Sequence, residues 1–161
     1  MAHWNHVTSY LILKYLHVLS AAVLLGTGAG IAFFLFTVCR SRNIEALCVV
    51  SRLVIVADWL FTATAVVLQP LTGIWMMLER GWSFGSHWFI ATVVLYVAVG
   101  ACWIPVVVLQ YRMARLAGKA ESYTTLGTAF HRAFRLWVAL GIPAFIMVLV
   151  LYALMVFKPG L

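Results

Sequence analysis

The sequence predicts an all-α membrane protein, an antiparallel bundle of four transmembrane helices, and three observations predict it. Of the 161 residues, 65% are hydrophobic and 9% are charged, against roughly 25% charged in an average soluble domain. Four segments, 11–38, 53–78, 88–109 and 136–157, are apolar over the length of about 20 residues that a helix needs to cross a bilayer. The connections between them are too short to hold a soluble domain, and their basic residues alternate from one connection to the next. Soluble enzymes, disordered binders and nucleic-acid modules are excluded on these grounds. The formal charge of +7 would otherwise suggest nucleic acid.

The charge instead sets orientation. Arg40, Arg42 and Arg52 flank the first connection, and Arg112, Arg115, Lys119, Arg132 and Arg135 flank the third, eight of the 11 basic residues. Lys14, Arg80 and Lys158 remain for the opposite side. The positive-inside rule then puts the first and third connections in the cytoplasm of a bacterial inner membrane, N-out and C-out. Anionic lipid headgroups are the partners of that charge. Trp4, Tyr10, Trp75, Trp82 and Trp88 collect at the outer boundary as an aromatic belt. The N-terminus lacks a basic stretch ahead of a short apolar core and a small-residue cleavage site, so the first helix reads as retained.

Along the first segment, His17 lies about 10 Å below the boundary at Tyr10. A neutral imidazole at that depth needs a metal, a haem iron or a hydrogen bond. Lys14 lies on the same face one turn nearer the surface. It can snorkel or meet a cofactor carboxylate. The run Gly26-Thr27-Gly28-Ala29-Gly30 contains a GxxxG pair suited to close helix approach, to dimerisation or to a flat cofactor.

In the second segment, Asp58 is a lone carboxylate expected to pair with Arg132, His131 or Arg135, or to serve a proton route or a second polar cofactor site. Further on, Pro70 frees the carbonyl of Val66, and Gln69 is placed to hydrogen-bond across the bundle or to a cofactor's edge. His87 opens the third segment on the side from which His17 is approached, as a second axial ligand or an interfacial cap. Met76 and Met77 are further ligand candidates. Pro105 and Pro143 mark kinks in the third and fourth helices. Trp59, Trp103 and Trp137 read as bundle packing.

Cys39, Cys48 and Cys102 make no CxxC or haem-attachment motif. His3 and His6 belong to a short tail. Phosphate-binding loops, HExxH and a Ser/His/Asp set are absent from the sequence.

The run Leu13-Lys14-Tyr15-Leu16-His17-Val18, the Gly81-Trp82 pair before the third helix and the closing Phe157-Lys158-Pro159 resemble the bacterial membrane-bound protoporphyrinogen oxidase family. They are also similar to its four-helix, copper-resistance-type relatives. That resemblance implies a haem-b-binding helical bundle in which His17, preceded by Lys14, is the first-helix ligand. The chain departs from the pattern in offering His87 where an intramembrane Lys is expected, and Ala139-Leu140-Gly141-Ile142-Pro143 where an acidic element is expected. A closer likeness, over nearly the whole chain, is to a family of predicted integral membrane proteins of unassigned function. Asp58-Trp59-Leu60-Phe61-Thr62, Val67 to Gly73 and Leu136-Trp137 leading into Gly141 carry that likeness.

The function expected is that of a haem-b-binding membrane protein of cytochrome-b type. It would transfer electrons or oxidise a membrane-soluble or porphyrin-like substrate. His17 is the axial ligand, His87 the second, Lys14 the propionate partner and Gln69 a cofactor contact. A quinone or another redox partner and a second copy of the chain, making a homodimer, are the expected partners. The alternative is a non-redox helper or transporter, with Asp58, Gln69 and His17 lining a path for a metal ion or proton. A structural assembly subunit is a third reading.

Overall fold

A backbone in hydrocarbon must satisfy its own N–H and C=O groups, and a helix does so locally. The structure, a computed structural model, describes the backbone of residues 2–158 and the side chains of residues 8–158. The side chains of His3, Trp4 and His6, and the whole of Pro159, lie outside the described residues. The chain forms α1 (Ala2–Ser41), α2 (Ile44–Ala57), a π-helical turn (Asp58–Ala63), α3 (Thr64–Arg80), α4 (His87–Ala117) and α5 (Thr128–Phe157). No strand occurs among the described residues. Four spans are long and apolar enough to cross a membrane: Thr8–Ser41, Ile44–Arg80, His87–Ala117 and Thr128–Phe157.

The helices run past the apolar segments read from the sequence. Hydropathy marks where side chains leave hydrocarbon, whereas the hydrogen-bond ladder continues beyond it. Arg52, Arg112, Arg115, Arg132 and Arg135 sit exposed on these extensions, where long stems can follow the helix to water.

Two tight turns have identifiable causes. Between α1 and α2, Arg42 takes a left-handed φ of 56°, and the side chain of Asn43 accepts a 3.0 Å bond from the N–H of Ala46 to cap α2. At the end of α3, Gly81 has φ 63°. Its N–H donates to the Leu78 carbonyl and that of Trp82 to the Met77 carbonyl. This is a left-handed helix cap that a Cβ would strain.

One end carries Arg40, Arg42, Arg112, Arg115 and Lys119, and is called the basic end below. There the Tyr123 hydroxyl donates to the Cys39 carbonyl at 2.7 Å, tying the connection before α5 to the end of α1. The other, terminal end is fastened by cations on rings. The Arg80 guanidinium lies 3.8 Å from the Tyr10 ring centre and the Lys158 ammonium 3.9 Å from that of Trp82.

The two halves are packed differently. The buried core, with Leu35, Leu47, Met113, Ala117 and Phe130 at its centre, lies in the half toward the basic end. There α2 fits between α1 and α4, and α4 lies along α5. In the terminal half, α3 lies on α1 and makes little close backbone approach to α4 or α5. Between His87 and Pro105, Trp88 is the one buried residue of α4. Leu24 and Thr27, on the interior stripe of α1, are only half-buried.

Pro70 removes a donor from α3 and so frees the Val66 carbonyl. The Tyr96 hydroxyl of α4 donates to that carbonyl. Tyr96→Phe is expected to destabilise the protein by about 1 kcal/mol. The loss should shrink in a Pro70→Ala background, where residue 70 regains an N–H for Val66. A double-mutant cycle of thermal unfolding in detergent reads the coupling.

Candidate functional site

His17 is half-buried on α1, and its imidazole lies against α3. A Cβ built on Gly73 would stand 3.3 Å from His17 Cε1, so the glycine makes room for the ring. Nδ1 lies 2.8 Å from the hydroxyl of Thr72. That hydroxyl donates its one proton to the Leu68 carbonyl at 2.6 Å. It therefore accepts from His17 Nδ1–H. The hydrogen-bond pattern assigns the tautomer, and Nε2 keeps its lone pair. An oriented imidazole whose second nitrogen is engaged by the protein is the arrangement used to hold a metal.

The backbone around the ring is also held. Gln69 Nε2 donates to the His17 carbonyl at 2.8 Å and to Ser20 Oγ at 2.7 Å, and Ser20 Oγ donates to the same carbonyl at 3.0 Å. Gln69 thus bonds across the bundle, one of the two roles its position predicts. Ser20 and Thr72 were not singled out in the sequence. The signal was available, since each lies three residues from a polar neighbour (Ser20 from His17, Thr72 from Gln69) and so on one helix face.

Three cations stand at the terminal end of this site. Lys14 is exposed one turn from His17. Burial, together with the positive charges of Lys14 and Arg80, pushes the Lys158 ammonium below the usual lysine value. Lys158 also lies 5.7 Å from the Trp88 ring centre. Trp88 Nε1 and the Tyr152 hydroxyl are buried in the terminal half without a hydrogen-bond partner. Trp88 Nε1, an unmatched donor on a ring beside Lys158, suits a ligand with anionic oxygens.

Other predicted residues fall elsewhere. His87 is the exposed first residue of α4, and no contact among the described residues joins it to His17. No group of three or more His, Cys, Asp or Glu converges among the described residues. Met77 is buried and Met76 half-buried on α3. The three cysteines are free thiols. Trp137 is buried and stacked on Phe134, as packing predicts. Trp59 is exposed and donates to the Tyr111 hydroxyl at 2.8 Å.

Asp58 departs from expectation. It is 4% exposed, and its one hydrogen-bond partner among the described residues is Trp103 Nε1, 3.4 Å from Oδ1. No ion pair reaches it among the described residues, because His131, Arg132 and Arg135 are exposed near the basic end of α5. Depth in the membrane could be read from the sequence, but not the direction in which those cations point.

With this geometry in view, residues 11–159 match the model of the family DUF2269, described as a predicted integral membrane protein. The chain belongs to that family. No curated protein and no solved structure matches it. Membership gives a predicted integral membrane protein, the structure supplies its four candidate spans, and the chemistry has to be argued from the site.

Glycine-to-alanine exchanges separate the site from its surroundings. A Cβ at Gly141 meets nothing within 4 Å, so Gly141→Ala should stabilise α5 by up to about 1 kcal/mol. Gly73→Ala must displace the His17 ring and should be the less stable of the two by about 1 kcal/mol. Unfolding midpoints in detergent check this difference.

Proposed function

We propose that the chain is a haem-b-binding protein of cytochrome-b type in a bacterial inner membrane. The observation that carries this reading is His17. Its imidazole is oriented by Thr72, seated against Gly73 and left with a free Nε2 lone pair inside a loosely packed half of the bundle. Haem b, when bound, supplies one-electron chemistry to a membrane-soluble partner such as a quinone, or to a porphyrin-like substrate.

The residues divide the work. His17 Nε2 would hold the iron, and Thr72 fixes the ring's tautomer. Gln69 and Ser20 hold the stretch of α1 that carries His17. Lys14, Arg80 and Lys158 would receive the propionates, with Trp88 Nε1 as a further donor. His87, exposed at the start of α4, is the weaker candidate ligand, since the chain would have to bring it into the bundle. We assign His17 as the protein nitrogen on iron.

The same reading includes topology and assembly. The four spans run antiparallel, with both termini and the 81–86 turn on the outer side and the basic end in the cytoplasm. A second copy docks on the Gly26 and Gly30 face of α1, where an added Cβ meets nothing within 4 Å.

Two measurements test the proposal. Purified protein, expressed with ample haem supply, should show a Soret band, and sharp α and β bands after reduction. His17→Ala should abolish the spectrum, Thr72→Val should weaken haem retention by about tenfold, and His87→Ala should leave the spectrum intact. A colourless wild-type protein rejects haem, and a changed spin state in the His87 variant restores it as a ligand. For topology, a membrane-impermeant thiol reagent applied to intact cells should label Ser83→Cys and spare Ser122→Cys in a cysteine-free background. The reverse pattern overturns the orientation.

A further inference from the structure

The half toward the basic end contains buried polar atoms that the His17 site does not use. Asp58 Oδ2, Thr62 Oγ1, Ser51 Oγ and Gln110 Oε1 are all buried without a hydrogen-bond partner, in residues that are 2–7% exposed. A native interior leaves few such atoms unmatched, and buried water is the usual partner of those it does. The hydroxyls behave unlike others in the same helices. Thr64, Thr72 and Thr92 each donate to the carbonyl four residues back. Ser51 and Thr62 do not use this local acceptor, and their hydroxyls remain available to the interior.

Register places these atoms in a column. Ser51 lies between Leu47 and Val54 on the core face of α2, and Gln110 between Val106 and Met113 on the core face of α4; all four flanking residues belong to the same buried core. Asp58 is seven residues past Ser51, and Trp103, its indole partner, is seven residues before Gln110. Each spacing is two turns, about 10 Å of axis. Ser51 and Gln110 therefore lie nearer the basic end, and Asp58 with Thr62 lies deeper, near the middle of the 37-residue span Ile44–Arg80. The deep pair sits in the π turn, a distortion found frequently at functional sites.

We propose that Asp58 is a proton-binding site, served by water that Ser51, Thr62 and Gln110 hold in the half of the bundle toward the basic end. An ionised carboxylate so placed, with one long indole bond and no cation among the described residues, would carry an uncompensated desolvation penalty. Taking up a proton removes that charge. A metal cation is less suited, because hard cations take roughly six or more oxygen ligands, and Asp58, Thr62 and the half-buried Thr27 of α1 supply fewer side-chain oxygens than that at this level.

Neighbouring elements supply no competing charge. Between His17 and Arg40, α1 has Cys39 as its one titratable residue. On α2 the ionisable residues are Glu45, Cys48 and Arg52, with Glu45 and Arg52 exposed. On α3 they are Glu79 and Arg80, at the terminal end. On α4, Tyr96 is committed to the Val66 carbonyl, Cys102 is a free thiol beside Trp103, and Tyr111, Arg112 and Arg115 are exposed. The proton comes from bulk water and returns to it, so no further reactant is involved. The site stands independently of haem, being built on residues that touch none of the His17 network.

Infrared difference spectroscopy on the full-length protein in liposomes tests it. At neutral pH the wild type should show a protonated-carboxyl C=O band that shifts in D2O, disappears in Asp58→Asn and moves in frequency in Asp58→Glu. The band should persist in His17→Ala, which separates this outcome from the fate of the haem reading. Ser51→Ala and Gln110→Leu should keep the band but slow its exchange with D2O several-fold. An Asp58 that absorbs only as carboxylate at neutral pH overturns the proposal, as does an acid band insensitive to D2O. Loss of the band on adding Na+ at constant pH overturns it in favour of a metal-cation site. Unchanged exchange in both the Ser51 and Gln110 variants rejects the water route.

Discussion

Hydrocarbon offers no hydrogen-bond partner, so each polar group that enters it must be matched by the protein, by water or by a ligand. The described helices meet this demand in three different ways, and the differences separate structural from functional polarity. Pro70 creates an unmatched carbonyl at Val66, and the Tyr96 hydroxyl closes it from α4. That pair is complete. The His17 group is nearly complete, since Nδ1, the backbone carbonyl, Ser20, Gln69 and Thr72 are mutually bonded while Nε2 is left over. Around Asp58 the demand is largely unmet, with four oxygen atoms buried and unpartnered.

Incomplete matching coincides with the division of the molecule into two halves. Toward the basic end, interlocking apolar side chains exclude lipid, and polar atoms trapped among them can be relieved only by small species such as water and protons. Toward the terminal end, α3 stays with α1 while α4 stays with α5, and interior-facing residues remain half-exposed. A larger, flat and mostly apolar ligand suits that space, and its anionic groups would meet Lys14, Arg80 and Lys158. Packing density thus decides which kind of partner each polar cluster can take.

Much of this was legible in the sequence, and the limit has a physical form. Hydropathy yields the number of spans and helical spacing the position of each residue along its span, so the four spans and Gln69 reaching across the bundle were expected. What a linear pattern lacks is azimuth, the direction in which a side chain points around its helix. Asp58 was expected to meet Arg132, His131 or Arg135 because all share an end of the membrane. In the structure Asp58 faces inward and those cations face outward. His87 was placed with His17 because both approach from the same side of the membrane, yet it lies exposed at the first turn of α4. The π turn is invisible to hydropathy for another reason, since Asp58-Trp59-Leu60-Phe61-Thr62-Ala63 has no residue that forbids an ordinary α turn. Its extra width is settled by what the flanking helices require on either side.

That requirement connects the two polar regions. Span Ile44–Arg80 must present Leu47, Ser51 and Val54 to α1 and α4 in one half, and Gln69, Thr72 and Gly73 to His17 in the other. An uninterrupted α-helix advances 100° per residue, so the faces needed at its two ends are locked together. A π turn rotates the remainder of the helix relative to what precedes it, and a proline allows a change of direction without a further break. The π turn lies between the two regions, at 58–63, and the proline lies within the second, at residue 70. The register that brings Thr72 to the imidazole is therefore set in the turn that carries Asp58. A change that restored regular α geometry there would rotate Thr72, the hydrogen-bond partner of His17, away from the imidazole, although Thr72 lies about 16 Å along the helix from the turn and the two sites are not in direct contact.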